Sequence, residues 1–193
     1  LRNNGLKNFK NLVYLITTNP AMLRYLNGNQ NSKGSPNENF ARELLELFTI
    51  GKGAIAGPGD YTTYTEVDIK EMAKCLTGWT DQGYYSRTAT VIQSSFNVNR
   101  HDSTTKQLSH RFNSIKIVNE NENEYKTLIN IIFTKPEVAK FICRKLYRYF
   151  VYYKISADVE MNIIQPLSEL FIAEKFEIKP VLRALLNSEH LKL

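Results

Sequence analysis

The chain is predicted to be mainly α: a multi-helix, bundle-like domain with a small β hairpin or irregular β insertion in its middle. Three observations carry this. Apolar residues recur at helical spacing through most of the chain, as in Leu6, Phe9, Val13 and Ile16. Several such stretches open on a capping residue or a first-turn proline. One stretch, about 82–118, instead collects β-formers: Thr88, Thr90, Val91, Ile92, Phe96 and Val98, then Phe112, Ile115, Ile117 and Val118.

The first helix is expected over 6–18, and Asn19-Pro20 caps a short second one through Leu26. Residues 27–35, rich in Asn, Gly and Ser, form a loop. A helix over 36–50 follows, with Ser35 as cap, Pro36 at the first helical position and Glu38 three residues after the cap. Gly51 is placed to end it in a left-handed conformation. Residues 51–64 are a glycine-rich loop, long enough to be a lid or an embellishment. The loop is not a phosphate cradle, because it lacks a Gly-Lys-Ser/Thr ending and no strand pattern precedes it. Thr65, with Asp68 three residues later, opens a helix striped by Ile69, Met72, Ala73 and Leu76. Gly78-Trp79 stops it, and Trp79 is expected to fold back on the helix end. The β region should turn near 100–110. Helices return over 121–133, 135–152 (capped by Thr134, with Pro136 in its first turn), 156–174 and 178–188.

A length of 193 residues suffices for a sizeable core and fits a single domain over 1–193. The chain opens at Leu1-Arg2 without Met and enters a helical pattern almost at once, so it reads as a fragment of a longer chain. The formal charge of +6 is spread along the sequence with no dense Lys/Arg block, which argues against a nucleic-acid arm. Lys140, Arg144 and Arg148, with Lys145, form a basic stripe, but any amphipathic helix shows such a stripe to solvent. Cys75 and Cys143 are too few and too far apart for a disulfide framework or zinc motif and read as buried free thiols. No apolar run approaches the roughly 18 residues of a membrane span.

Helix 36–50 carries the densest chemistry. At about 100° per residue, Phe40, Ala41, Leu44, Leu45, Leu47 and Phe48 cover one broad arc. Glu38, Asn39, Arg42, Glu43 and Glu46 cover the other. Arg42 stands four residues from both Glu38 and Glu46. That is an exposed charge ladder whose pairs contribute about 0.2–0.5 kcal/mol each. Alternatively the polar arc faces a cleft, where Arg42 neutralises Glu38 and Glu46 and leaves Asn39 and Glu43 to act. A second polar stretch, Asn99-Arg100-His101-Asp102-Ser103-Thr104-Thr105-Lys106, lies in the β region. Adjacent residues on an extended chain point opposite ways, so His101 and Asp102 seldom serve one metal. His110 reads as a surface residue.

These residues together resemble the bacterial proteins grouped as domain of unknown function 1800. The resemblance lies in Pro36-Asn37-Glu38-Asn39-Phe40-Ala41-Arg42-Glu43-Leu44 and Leu47-Phe48-Thr49-Ile50-Gly51. It continues in Tyr64-Thr65-Glu66-Val67-Asp68, Leu76-Thr77-Gly78-Trp79, His101-Asp102 with Lys106, and Phe141-Ile142-Cys143-Arg144-Lys145-Leu146. It covers the chain from about residue 20 and implies the C-terminal part of a longer, mostly helical protein, exported from the cell to the periplasm or cell surface. It also implies a gene neighbour encoding a secreted alkaline-phosphatase/sulfatase-like protein, which makes that protein the expected partner. It supplies no reaction. Phe48 stands where the family pattern has His, so a metal role is absent there. Thr104 replaces a Gly, and Leu108-Ser109 replaces a Leu-Gly, which alters the expected turn.

Two functions are weighed first. One is a binding module for a secreted protein partner or a polysaccharide, with Tyr61, Tyr64, Trp79, Tyr84 and Tyr85 as its aromatic surface. Its ligand-binding candidates are Asn39, Arg42, Glu46, Trp79 and Lys106. The alternative is a metal-dependent or acid–base enzyme. Glu43, His101 and Asp102 are then the catalytic candidates, and Glu43, Glu46 and His101 would hold a divalent metal ion. Nucleic-acid binding through the basic stripe is a third and weaker alternative.

Overall fold

The computed structural model describes residues 2–188. Along the chain come α1 (Phe9–Thr17), α2 (Pro20–Tyr25) and α3 (Glu38–Glu43), which runs on into a π-helical segment over Leu44–Thr49. A hairpin of β1 (Ile55–Gly57) and β2 (Asp60–Tyr61) leads into α4 (Glu66–Cys75). Next are β3 (Trp79–Gln82) with β4 (Gln93–Phe96), and β5 (Lys106–Gln107) with β6 (Lys116–Ile117). The chain continues through α5 (Glu124–Ile132), α6 (Pro136–Phe150) and α7 (Ala157–Val159), then a second π segment over Glu160–Ile164. It closes with α8 (Gln165–Ala173) and α9 (Ile178–Leu186). Each sheet is a two-stranded antiparallel pair, so the fold is mainly α with small β hairpins.

Two clusters of buried side chains share Phe9 and Phe176 at their margins. The first is built around α3, α4 and α5, with Phe40, Leu44, Tyr64, Met72 and Leu128; the second lies between α6, α8 and α9, with Tyr147, Phe171 and Val181. The rings of Phe9, Phe133, Phe171 and Phe176 pack together where the clusters meet, at centroid distances of 4.8 to 6.1 Å. Both cysteines are free and buried, as expected.

Some end signals act as the sequence predicts. The Thr65 hydroxyl accepts from the Asp68 amide and the Asp68 carboxylate accepts from the Thr65 amide at 2.7 Å, completing a capping box. Others differ. The α3 cap is Asn37, not Ser35: Asn37 Oδ1 accepts from the Asn39 and Phe40 amides while Nδ2 donates to the Leu26 carbonyl at 2.9 Å. Ser35 instead closes a tight turn on Ser32. The Thr134 hydroxyl finishes α5 by donating to the Ile131 carbonyl at 2.7 Å, so α6 starts after Lys135 without a side-chain cap.

The β region is also divided differently. The expected turn near 100–110 does not close one long hairpin. β3 and β4 pair with Trp79 opposite Phe96, their connection is 83–92, and Thr88 to Ile92 lie in that loop. Trp79 opens β3 rather than folding back on α4, and its ring packs at 5.5 Å from both Phe96 and Tyr125. The glycine-rich loop contains the β1–β2 hairpin.

Candidate functional site

The second half of helix 36–50 departs from α geometry. Ile50 N–H donates to the Leu45 carbonyl and the Thr49 hydroxyl to the Leu44 carbonyl, at 2.9 and 2.7 Å. The backbone bond from Ile50 is an i→i+5 closure of the kind that makes a π segment, and the Thr49 hydroxyl bond spans the same five-residue step. They seat Thr49, rather than Leu47, in the interior, and Leu47 is half exposed.

On the polar side, Arg42 reaches across to the first turn of α4. Its guanidinium holds Glu66 in a two-pronged pair, at 2.9 Å to Oε1 and 2.7 Å to Oε2. Glu46 is a looser neighbour of Arg42, at 3.8 Å, and Lys52 lies equally far from Glu46 on its other side. The Tyr64 hydroxyl donates to Glu46, and the Tyr61 hydroxyl to Glu66 at 3.4 Å. The ladder through Glu38 expected from the sequence therefore gives way to a cross-helix pair. Hydrogen bonding from Arg42 holds the Glu66 carboxyl below its ordinary range, and Arg42 itself is raised by the same bond. Burial, then Glu46, pushes the Tyr64 phenol up.

The second polar stretch assembles a buried ionic cluster. His101 is 2% exposed, and its ring lies tilted against Phe96 at a centroid distance of 5.2 Å. Its Nε2 lies 3.1 Å from Glu124 Oε2. Its Nδ1 faces the Thr77 carbonyl at 2.9 Å and the Thr77 hydroxyl oxygen at 3.2 Å. The Thr77 proton goes to the Lys74 carbonyl at 2.6 Å, so Thr77 offers the ring only acceptors. Both ring nitrogens must then donate, as in an imidazolium. Burial works against that charge, but the Glu124 hydrogen bond and the Thr77 carbonyl outweigh it and raise the His101 pKa. Lys106, fully buried, sits 2.5 Å from Glu124 Oε1 and also donates to the Asp102 carbonyl. Burial pushes the adjacent Cys75 thiol well above its ordinary value, with Glu124 adding to the effect.

These networks use different partners. Asp102 turns its carboxylate to Thr104, at 2.9 Å from the amide, and its backbone amide to Thr77. Asn39 is exposed and Glu43 half-buried on α3. Among the described residues, no group of three or more His, Cys, Asp or Glu side chains is arranged to hold a metal ion. His110 is exposed, as expected, 3.7 Å from Asp60. Arg144 of the basic stripe is taken by Glu160, at 2.8 Å from Nε, and Lys145 donates to the Leu47 carbonyl at 2.9 Å. Glu124, Glu66 and Thr77 were missed as site members. Glu66 and Thr77 lie inside the family stretches, whereas Glu124 looks like any helix-opening acid.

The family model for "Protein of unknown function (DUF1800)" matches residues 1–192. The chain belongs to that family. No curated protein and no solved structure is a match. Arg42–Glu66 is thus a contact between two of the stretches by which the sequence resembles the DUF1800 family, and His101 and Lys106, both in such stretches, meet on Glu124, which lies outside them.

The aromatic candidates separate by burial. In this DUF1800 chain Tyr64 is fully buried, and Tyr61 and Trp79 are half-buried. Tyr84 and Tyr85 are exposed on the β3–β4 connection, edge to face at 4.9 Å. The Arg24 guanidinium of α2 lies over the Tyr84 ring at 3.7 Å and near Tyr85 at 4.7 Å. Asp81 fixes that guanidinium at 2.7 Å and is itself held by Asn29 at 2.8 Å. Burial raises the Asp81 carboxyl, but the Asn29 and Arg24 bonds outweigh it and hold the pKa below the ordinary range. Arg24, Tyr84, Asn19, Pro20 and Ile92 line a groove of about 260 Å³.

Proposed function

We propose that this domain is a non-catalytic binding module for a polysaccharide, and that Arg24, Tyr84 and Tyr85 form its contact face. One observation carries the proposal: exposed Tyr84 lines a groove of about 260 Å³ and shares with its exposed neighbour Tyr85 a guanidinium already oriented by Asp81. Sugars present apolar C–H faces that pack on aromatic rings and hydroxyls that take hydrogen bonds from planar, fixed polar groups. Tyr85 supplies the open ring. Arg24 supplies donors whose geometry is set before binding, which lowers the ordering cost. An exported location, implied by the family resemblance, belongs to the same proposal.

An acid–base or metal-dependent reaction through Glu43 and His101 draws less support. His101 is sealed and has both nitrogens occupied, so it has no open position from which to act on a substrate. The test is a glycan array probed with the wild-type chain and with Tyr85→Ala. Retention of a glycan class that Tyr85→Ala loses is the expected result. Equal retention by both would overturn this face, and so would no retention at all. The secreted alkaline-phosphatase/sulfatase-like protein is the other candidate occupant, and its co-purification with wild type but not Tyr85→Ala would reassign the face to a protein.

A further inference from the structure

The C-terminal end of α6 presents a second aromatic surface of different character. Residues 148–150 and 152–154, Arg-Tyr-Phe and Tyr-Tyr-Lys, are all exposed around the half-buried Val151. Tyr149 and Tyr153 are 83% and 72% exposed. Contiguous exposed apolar surface of this kind marks an interaction site. Its charge setting is mainly basic: between Glu137 and Asp158 the sequence has five Lys or Arg and no Asp or Glu, and Glu160 beyond that stretch is paired with Arg144.

We propose that this corner of the molecule docks on an anionic lipid surface. Tyrosine is suited to the membrane interface because its ring rests among the upper acyl chains while its hydroxyl stays at headgroup level. Arg148 and Lys154 bracket the tyrosines and pair with lipid phosphates, the attraction expected of basic residues beside an anionic leaflet. Phe150, packed edge to face on Tyr149, adds apolar area. The contact is shallow and reversible. The apolar side of α6, with Val138, Ala139, Ile142, Cys143 and Tyr147, is committed to the core, so the helix cannot lie down in the bilayer. No helix among the described residues is long and apolar enough to cross a membrane. The aromatic and electrostatic parts are then both needed, as for other two-signal peripheral anchors.

Other occupants fit less well. A second copy of the same face would set like charges against one another. A nucleic acid would need a continuous line of cations, yet Arg144 is bound by Glu160 and Lys145 by the Leu47 carbonyl.

The experiment is vesicle flotation of the chain with phosphatidylcholine alone and with added phosphatidylglycerol, at low and high salt. The expected result is flotation only with phosphatidylglycerol, suppressed by salt. Arg148→Gln and Lys154→Gln should each weaken it about 5-fold, and Tyr149→Ser with Tyr153→Ser should abolish it. These side chains are exposed, so unchanged thermal unfolding of each variant certifies its fold. Equal flotation on both vesicles, no flotation on either, or variants that float like wild type would overturn the proposal. Single-stranded DNA binding as tight as vesicle binding and lost in the same variants would overturn it too, by making the patch a general polyanion site.

Discussion

His101 Nε2 and Glu124 Oε2 meet at 3.1 Å with both side chains sealed from solvent. His101 follows β4, and Glu124 opens α5, so the pair pins the β region to the helical core. Lys106 supplies the second cation to the same carboxylate. Glu124→Gln would leave both cations buried without their counter-charge. Breaking a buried ion pair from one side costs about 3–5 kcal/mol. Urea unfolding of the variant should show a loss of that size, and a loss below about 1 kcal/mol would show that the cluster is not ionised as described.

The same cluster sets a pH dependence. His101 binds its proton more tightly folded than unfolded, because Glu124 and the Thr77 carbonyl favour the imidazolium against the opposing effect of burial. Its contribution is therefore complete below the ordinary imidazole value of about 6.5 and is lost as pH rises through the higher folded value. The stability difference between wild type and His101→Asn, measured by urea unfolding across neutral to alkaline pH, should shrink as pH increases. A difference that stays constant would mean His101 is neutral in the fold.

Arg42 and Glu66 make a two-pronged contact, but their side chains are 31% and 33% exposed. Solvent and salt screen such pairs, so a coupling of about 0.5–1 kcal/mol is expected from a double-mutant cycle of Arg42→Ala and Glu66→Ala. Glu66 has a lowered pKa, with Arg42 hydrogen bonding the leading cause. The coupling should be present above the ordinary carboxyl range and fade as pH falls through the lower folded value. Coupling that persists in strong acid would contradict an ionic origin.

What was legible in the sequence was what local chemistry decides. Thr65 and Asp68 form their capping box because both partners lie within one turn. Ser35 had the same local credentials and lost to Asn37, whose amide also reaches Leu26 and whose backbone meets Asn31. That choice rests on a loop fold a sequence pattern does not display. The Arg42 partner was misjudged for a similar reason: Glu66 is 24 residues away and becomes adjacent only when α3 packs on α4. The π segment rotates Leu47 outward, and no 100° wheel can anticipate a change in the turn itself. His101 and Lys106 were picked out as polar residues of a stretch by which the sequence resembles the family. Their acceptor Glu124 was not, because acids at helix starts are commonplace and its burial is settled by tertiary packing.

Gly51 ends the π segment at φ +73°, in the left-handed region, and a β carbon there would lie 2.6 Å from Phe141 Cε2. Two penalties then act together on Gly51→Ala. The left-handed backbone costs a side chain about 1–2 kcal/mol, and overpacking against the ring of α6 adds about 1–3 kcal/mol. Gly34 is the internal control, since a β carbon there meets nothing within 4 Å and its φ is not in the left-handed region. Gly34→Ala should stay within about 0.5 kcal/mol of wild type. If the ring clash contributes, Phe141→Leu should recover part of the Gly51→Ala loss in the double variant, because the two positions are in contact and their effects are not additive. Chemical unfolding of the four chains separates the terms: a full loss retained in the double variant assigns the whole effect to backbone conformation. A Gly51→Ala chain as stable as wild type would show that the helix end does not need glycine.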